Sequence, residues 1–197
     1  MIQPILVVGW AFGLLLVSPT SDQKGRKVIF LKMTFLQIAV VIISLLFILT
    51  QNQLDDSNQF IFIFLLFILG VSRANNMVGM VLLVEHFPKK YTHYLCTLRN
   101  VGEFIIHISW ILYFMVFDKP VFFYFPIFWL VLLIFFTWQG RKLIMESPYW
   151  LMSKGYFRQL LEYFQRVSKI NNAEEKFNSY YELNKSQFEN DRPESFN

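Results

Sequence analysis

The chain has 197 residues, of which 55% are hydrophobic, 19% are aromatic and only 16% are charged, and its mean hydropathy is +0.40. This composition excludes an ordinary soluble domain and predicts a polytopic membrane protein. The formal net charge is only +4, and the basic residues lie between apolar runs, so membrane topology explains them better than a nucleic-acid partner does. The single cysteine, Cys96, excludes an intramolecular disulfide and leaves no basis for a cysteine-based metal site.

Five apolar runs have lengths that suit helices crossing a hydrocarbon core about 30 Å thick. The predicted spans are residues 1–17, 28–49, 60–84, 93–117 and 121–139. None alternates with the period of a strand, and backbone in lipid must satisfy its own hydrogen bonds, so the predicted fold is all-α with five transmembrane helices. The first run lacks a basic leading segment and a small-residue cleavage site, which predicts a membrane helix and not a signal peptide.

Lysine and arginine predict the orientation of these spans. They are concentrated in residues 18–27, in 85–92 and after 139, whereas 50–59 contains neither and the turn 118–120 contains only one lysine. The positive-inside rule makes the basic segments cytosolic, with an external amino terminus and a cytosolic carboxyl terminus. We expect the plasma membrane, with an organelle membrane as the alternative.

Residues after 140 differ from the spans because they are polar and mixed in charge. Ser147 followed by Pro148 predicts the start of a short helix. Residues 156–170 place apolar side chains at helical spacing, which predicts an amphipathic helix. We therefore predict cytosolic loop helices over 141–172 and a polar, partly disordered tail over 173–197.

The short charged segment 18–27 contains the first candidate site. Asp22, Gly25, Arg26 and Lys27 are predicted to form a loop between two spans, and a glycine suits a tight turn there. One interpretation is a gate, with Asp22 stabilised at a helix amino terminus and the cations paired with acidic groups on neighbouring loops, because such contacts can hold one of two states. The alternative is that the basic pair marks membrane topology alone.

Charged side chains inside the predicted spans form the second candidate site. Counted at 1.5 Å per residue, Arg73 and Glu103 lie roughly 18 Å and 15 Å deep on neighbouring antiparallel helices, with Asn76 close to Arg73. An unpaired charge there costs at least about 2.5–3.5 kcal/mol, so we expect an ion pair or an aqueous cavity. Arg99, Glu103 and His107 form a stripe at i, i+4 and i+8. It either lines a cavity for a charged solute or is structural, and a proton relay through His107 is a further alternative.

Three segments resemble parts of the major facilitator superfamily. Ser18-Pro19-Thr20-Ser21-Asp22-Gln23-Lys24-Gly25-Arg26-Lys27 resembles the loop between its helices 2 and 3, which reads roughly Gly-x-Leu-x-Asp-Arg-x-Gly-Arg-Arg/Lys. Glu146-Ser147-Pro148-Tyr149-Trp150-Leu151 is similar to the Glu-Ser-Pro-Arg-Trp-Leu signature of its organic cation, anion and carnitine transporters. Residues 85–92 are similar to the loop after helix 4 in that family. Gln23 and Tyr149 stand where the family has arginine.

The resemblance covers about residues 1–170. It implies an incomplete amino-terminal bundle: helices 2 to 6 and the start of the central cytoplasmic loop, without a first helix or a second half. It also implies a cytoplasmic gate formed by Asp22, Gly25, Arg26, Lys27, Glu85 and Glu146.

The function implied by the resemblance is secondary transport of small organic solutes or ions by alternating access. The expected partners are membrane lipid, the solute, and a complementary transporter half or a full-length homologue. Two alternatives are a non-transporting membrane fragment that binds or regulates a full-length relative, and a small oligomeric channel. The sequence has no P-loop, GxGxxG or nucleophile–base pattern, so we predict neither an enzyme nor an ATP-driven pump, and no cofactor or metal.

Overall fold

The computed structural model describes residues 2–50, 56–116, 124–179 and 181–182, which contain no strand. The helices are α1 (Ile2–Lys24), α2 (Arg26–Thr50), α3 (Asp56–Arg73), α4 (Asn75–His86), α5 (Thr92–Val116), α6 (Tyr124–Leu143), α7 (Pro148–Ser153) and α8 (Phe157–Ile170). A 3₁₀ turn, Lys89–Tyr91, precedes α5. The chain divides into two compact units, Met1–Ile144 and Met145–Asn197.

Four helical segments in the described residues are long and apolar enough to cross a membrane. They are Gln3–Lys24, Arg26–Thr50, Gln59–His86, which combines α3 and α4, and Tyr124–Leu143. The all-α class is confirmed. The count differs from the five predicted spans because α5 is not among these segments: although it is 25 residues long, it carries Arg99, Glu103 and His107. Residues 51–55 and 118–120, in the two predicted external connections, lie outside the described residues.

The prediction of a loop over residues 18–27 is wrong for most of that segment. Helix α1 continues to Lys24 and α2 begins at Arg26, so only Gly25 lies between them. The polar side chains do not interrupt the helix because they bond to its own carbonyls: the Thr20 hydroxyl donates to Leu16 O at 2.7 Å, and the Ser21 hydroxyl donates to Ser18 O at 2.7 Å.

Gly25 makes the turn between α1 and α2 with φ of 100°. Its N–H donates to the carbonyl of Ser21 at 3.1 Å, and its carbonyl accepts from the N–H of Ile29 at 3.2 Å. One residue therefore ends α1 and begins α2, and only glycine adopts this φ without strain.

Replacing Gly25 with alanine is expected to destabilise the chain by about 1–2 kcal/mol, because a Cβ is disfavoured at positive φ. The matched control is Gly102→Ala in α5, where an added Cβ meets nothing within 4 Å. Unfolding of both variants in detergent measures the difference. Equal stability of the two variants would contradict the account of the turn.

Helices α1 and α3 run parallel and pack with their backbones in close approach. A Cβ on Gly9 would lie 2.3 Å from the carbonyl oxygen of Phe67, and one on Gly70 would lie 2.4 Å from that of Leu6. Gly13, one turn along α1, meets α3 in the same way, with a Cβ-to-carbonyl distance of 2.5 Å. The Gly-x-x-x-Gly spacing thus removes side chains where the two backbones meet.

Helices α2 and α4 run antiparallel and are held in register by a buried polar contact. Asn75 Nδ2 donates to Thr34 Oγ1 at 2.6 Å, and the Thr34 hydroxyl donates to the carbonyl of Phe30 at 2.8 Å. One turn away, the ring of Phe30 lies against Gly79, where a Cβ would be 2.7 Å from it. Asn75 and Thr34 are both buried, so sliding α4 along α2 would leave polar groups without partners.

The third predicted span is broken at Ala74, which is fully buried. The Ala74 N–H donates to Val71 O at 3.1 Å, and its carbonyl accepts from the N–H of Met77 at 3.1 Å, so a tight turn joins α3 to α4. The polar run at residues 72–76 lies at this turn, with Arg73 and Asn76 exposed.

The unit Met145–Asn197 contains α7 and α8. Ser147 caps α7 as predicted, because its hydroxyl accepts from the N–H of Trp150 at 3.1 Å and Pro148 occupies the first turn. Burial raises the pKa of Tyr163 in α8 by disfavouring the phenolate. Residues 174–179 are helical, and residues 183–197 lie outside the described part of the chain, so disorder of the tail stays a prediction.

Candidate functional site

Three charged side chains meet where α1 ends, α2 begins and α4 ends. The Arg26 guanidinium lies 3.3 Å from Asp22 through Nη2 and Oδ1, and its Nη1 pairs with Glu85 Oε1. Side-chain exposure is 18% for Arg26 and 16% for Glu85 but 63% for Asp22. Arg26 therefore bridges α1 and α4, and its pair with Glu85 is more buried than its pair with Asp22. We call Asp22, Arg26 and Glu85 the charge clamp.

The packing of α2 on α4 places Arg26 and Glu85 together. Contacts between these antiparallel helices recur along their length, from Thr34–Asn75 through Phe30–Gly79 to Arg26–Glu85. Gly25 contributes by ending α1 one residue before α2, which leaves Asp22 four residues from Arg26. The charge clamp is thus the polar end of a continuous helix–helix interface.

Each charge of the clamp lies near a helix end. Asp22 lies in the last turn of α1, four residues before the start of α2, and its stabilisation by the amino terminus of α2 stays a prediction. Glu85 is at the carboxyl end of α4, and Arg26 is the first residue of α2. Glu85 and Arg26 therefore lie at the helix ends that disfavour their signs, and their ion pair offsets both that penalty and partial desolvation.

Two further charged residues belong to the predicted gate. Lys27 follows Arg26 on α2 and is partly buried. Glu146 belongs to the unit Met145–Asn197, where its Oε1 accepts from the N–H of Ser147 at 3.1 Å, next to the start of α7. Ion pairs group Asp22, Arg26 and Glu85, and Glu146 contributes to the cap of α7.

The second candidate site contains an ion pair within α5, and of the two predicted alternatives the structure does not form the Arg73–Glu103 pair. Arg99 Nη2 donates to Glu103 Oε1 at 2.6 Å along α5, and Arg73 does not pair with Glu103. Residues four apart on one helix pair without bringing two helices together. Within the described residues, Arg73 and Asn76 make no ion pair or side-chain hydrogen bond.

His107 completes the stripe on α5 but does not contact a carboxylate. Its Nδ1 lies 2.6 Å from the backbone carbonyl of Glu103, which it contacts as a donor when that nitrogen carries the proton. No hydrogen bond therefore connects the Glu103 carboxylate to the His107 imidazole for proton transfer, and these contacts do not support a proton relay. Arg99 and Glu103 are 30% and 45% exposed, so the stripe lies on an open face of α5.

The described residues contain no group of three His, Cys, Asp or Glu side chains placed to hold a metal ion. Neither the Asn75–Thr34 contact nor the glycines at the α1–α3 interface were predicted from the sequence. The Gly9-x-x-x-Gly13 spacing is a sequence signal for the second. No such signal marks the first, because the two polar residues are 41 positions apart.

Comparison with known proteins finds no protein-family model and no curated protein that matches the chain.

Proposed function

We propose that this chain forms one helical bundle of a secondary transporter for small organic solutes or ions, of the major facilitator type. The observation that carries the proposal is the bridge from Arg26 to Asp22 and Glu85 across the ends of α1, α2 and α4. Alternating access needs contacts that exist in one state and are broken in the other. A clamp in which Arg26 and Glu85 lie at unfavourable helix ends suits that role, because both charges gain hydration when the clamp opens.

In this proposal α1, α2, the combined α3–α4 segment, α5 and α6 all cross the membrane. The charge clamp and the basic residues around it lie at the cytosolic surface. The break at Ala74 supports the proposal, because discontinuous membrane helices place polar groups at mid-membrane depth in many transporters. Arg73 and Asn76 at this break, and the stripe on α5, then face the pathway of a charged solute.

The solute site of such a transporter lies between two bundles, so the isolated chain is expected not to transport. Liposomes containing only the purified 197-residue chain should take up a panel of organic cations, anions and zwitterions no faster than empty liposomes. Uptake above that of empty liposomes would show that the chain forms a complete pathway alone or as an oligomer.

The alternative is a non-transporting membrane protein that associates with a full-length or complementary transporter. The exposed stripe of Arg99, Glu103 and His107 favours it, because charged groups on a lipid-facing helix are costly unless another helix covers them. Solute uptake by an intact transporter, measured with and without this chain, separates the readings. Uptake that appears when this chain is combined with a complementary bundle supports the transporter-bundle proposal. A changed uptake rate when this chain is added to an already active transporter supports the alternative.

A further inference from the structure

The connection between α4 and α5 combines aromatic and basic side chains on an exposed surface. Phe87 and Tyr91 are 45% and 44% exposed, and Lys89 and Lys90 between them are also exposed. The Lys90 Nζ lies 4.8 Å from the centre of the Tyr91 ring. We call Phe87, Lys89, Lys90 and Tyr91 the α4–α5 rim.

The positive charge of this rim is not neutralised by its nearest acidic neighbour in sequence. Glu85 is two residues from Phe87, but its carboxylate is engaged by Arg26 in the charge clamp. Among the described residues, no carboxylate lies within ion-pairing distance of Lys89 or Lys90. The clamp therefore leaves two uncompensated cations side by side next to two exposed aromatic rings.

The end of α6 repeats the same combination. Lys142 Nζ lies 5.9 Å from the centre of the Trp138 ring, and Trp138 is 60% exposed. Helix α5 starts beside the end of α4, and Trp110 near its far end packs edge-on against Phe125 at the start of α6, with ring centres 4.8 Å apart. With both α5 and α6 crossing the membrane, as in the proposed function, α6 ends on the same side of the membrane as the rim.

We propose that the α4–α5 rim binds the headgroups of anionic phospholipids, with Trp138 and Lys142 extending the same band. The inference rests on the membrane insertion that belongs to the proposed function. Inserted in that way, the rim lies at the lipid–water boundary, where aromatic rings are favoured and lysines attract phosphate and carboxylate groups. Phe87 and Tyr91 reach toward the acyl boundary, while Lys89 and Lys90 meet the headgroup charge.

The test measures the association of spin-labelled phosphatidylserine and phosphatidylcholine with the full chain reconstituted in phosphatidylcholine bilayers. One lysine near an anionic surface is worth about a fivefold preference, so the native chain should favour phosphatidylserine by at least about fivefold at low salt. The variant Lys89→Gln/Lys90→Gln should approach equal association of the two lipids. The variant Lys89→Arg/Lys90→Arg should keep the preference, because it keeps both charges.

A matched control removes the same charge elsewhere. Lys154→Gln/Lys169→Gln, in the unit Met145–Asn197, should leave the preference unchanged. If this control lowers the preference as much as the rim variant, net charge and not the rim attracts the lipid, and the inference is wrong. An inserted native chain that shows no preference for phosphatidylserine also overturns the inference. Release of the chain from membranes by alkaline carbonate would instead overturn membrane insertion and with it the proposed function.

Discussion

Replacing Arg26 with glutamine is expected to lower the free energy of unfolding by about 3 kcal/mol or more. The change removes the guanidinium that pairs with Glu85, and the Glu85 side chain is only 16% exposed. Removing one partner of a largely buried ion pair leaves the other charge desolvated, and such changes typically cost about 3–5 kcal/mol. Chemical unfolding of the purified chain in detergent measures the loss.

The double variant Arg26→Gln/Glu85→Gln separates the energy of the ion pair from the cost of burying a charge. Two neutral amides at this position need much less hydration than a carboxylate that has lost its guanidinium, so we expect the double variant to be more stable than Arg26→Gln alone. A double variant that loses the sum of the two single losses would show that Arg26 and Glu85 do not interact.

Arg158 and Glu162 provide the matched control for this experiment. They form an exposed pair on α8, with side chains 93% and 64% accessible and an N–O distance of 3.6 Å. Exposed pairs of this kind contribute about 0.3–0.5 kcal/mol, so Arg158→Gln should change stability only slightly. A similar loss for Arg26→Gln and Arg158→Gln would contradict the burial argument.

Adding one methyl group at Gly9 is expected to destabilise the chain, although alanine is the better helix former. The added Cβ would lie 2.3 Å from the carbonyl oxygen of Phe67, so α1 and α3 must move apart. Overpacking of this kind costs about 1–3 kcal/mol, and the cost exceeds the gain of up to about 1 kcal/mol in helix propensity. Gly70→Ala should act in the same direction, because its Cβ would meet Leu6 O at 2.4 Å.

The control for Gly9→Ala predicts the opposite sign. Gly102 lies in α5 with no atom within 4 Å of its ideal Cβ, so Gly102→Ala gains helix propensity without a clash. Thermal unfolding of both variants in one detergent compares them directly. A stabilised Gly9→Ala variant would contradict the close approach of α1 and α3.

The helices were the most predictable part of the structure, because long apolar runs and the Ser147–Pro148 start signal are local features. The segment at 18–27 was harder to predict. Its polarity suggests a loop, but hydroxyl groups that bond to carbonyls one turn earlier keep it helical to Lys24. Polarity alone therefore did not distinguish a loop from the polar last turns of a helix.

Helix–helix contacts were less predictable than the helices. Arg73 and Glu103 were expected at similar depth, either as an ion pair or facing an aqueous cavity, but Glu103 pairs with Arg99, one turn away on the same helix. By contrast, the motifs that contain Asp22, Arg26 and Glu85 predicted that these residues belong to one site. The motifs did not predict that Arg26 bridges two helices. Depth and residue type limit which charges can meet, while packing decides which do.

The central claim is that the charge clamp holds the ends of α2 and α4 together in one state, and accessibility of the interface tests it most directly. Val78 in α4 is 5% exposed and lies about 10 Å along the helix from Glu85. In a Cys96→Ser background, Val78→Cys reports opening through its reaction with an impermeant maleimide, added to the side of membrane vesicles that the proposed topology makes cytosolic. Val40→Cys is the control, because Val40 is 4% exposed and about 21 Å along α2 from Arg26.

We expect Arg26→Gln to raise the labelling rate at position 78 by about tenfold, which corresponds to a shift of about 1.4 kcal/mol toward the open state. The labelling rate at position 40 should stay unchanged. Equal acceleration at both positions would indicate general unfolding. Labelling at position 78 that does not depend on Arg26 would contradict the claim that the clamp closes this end of the bundle.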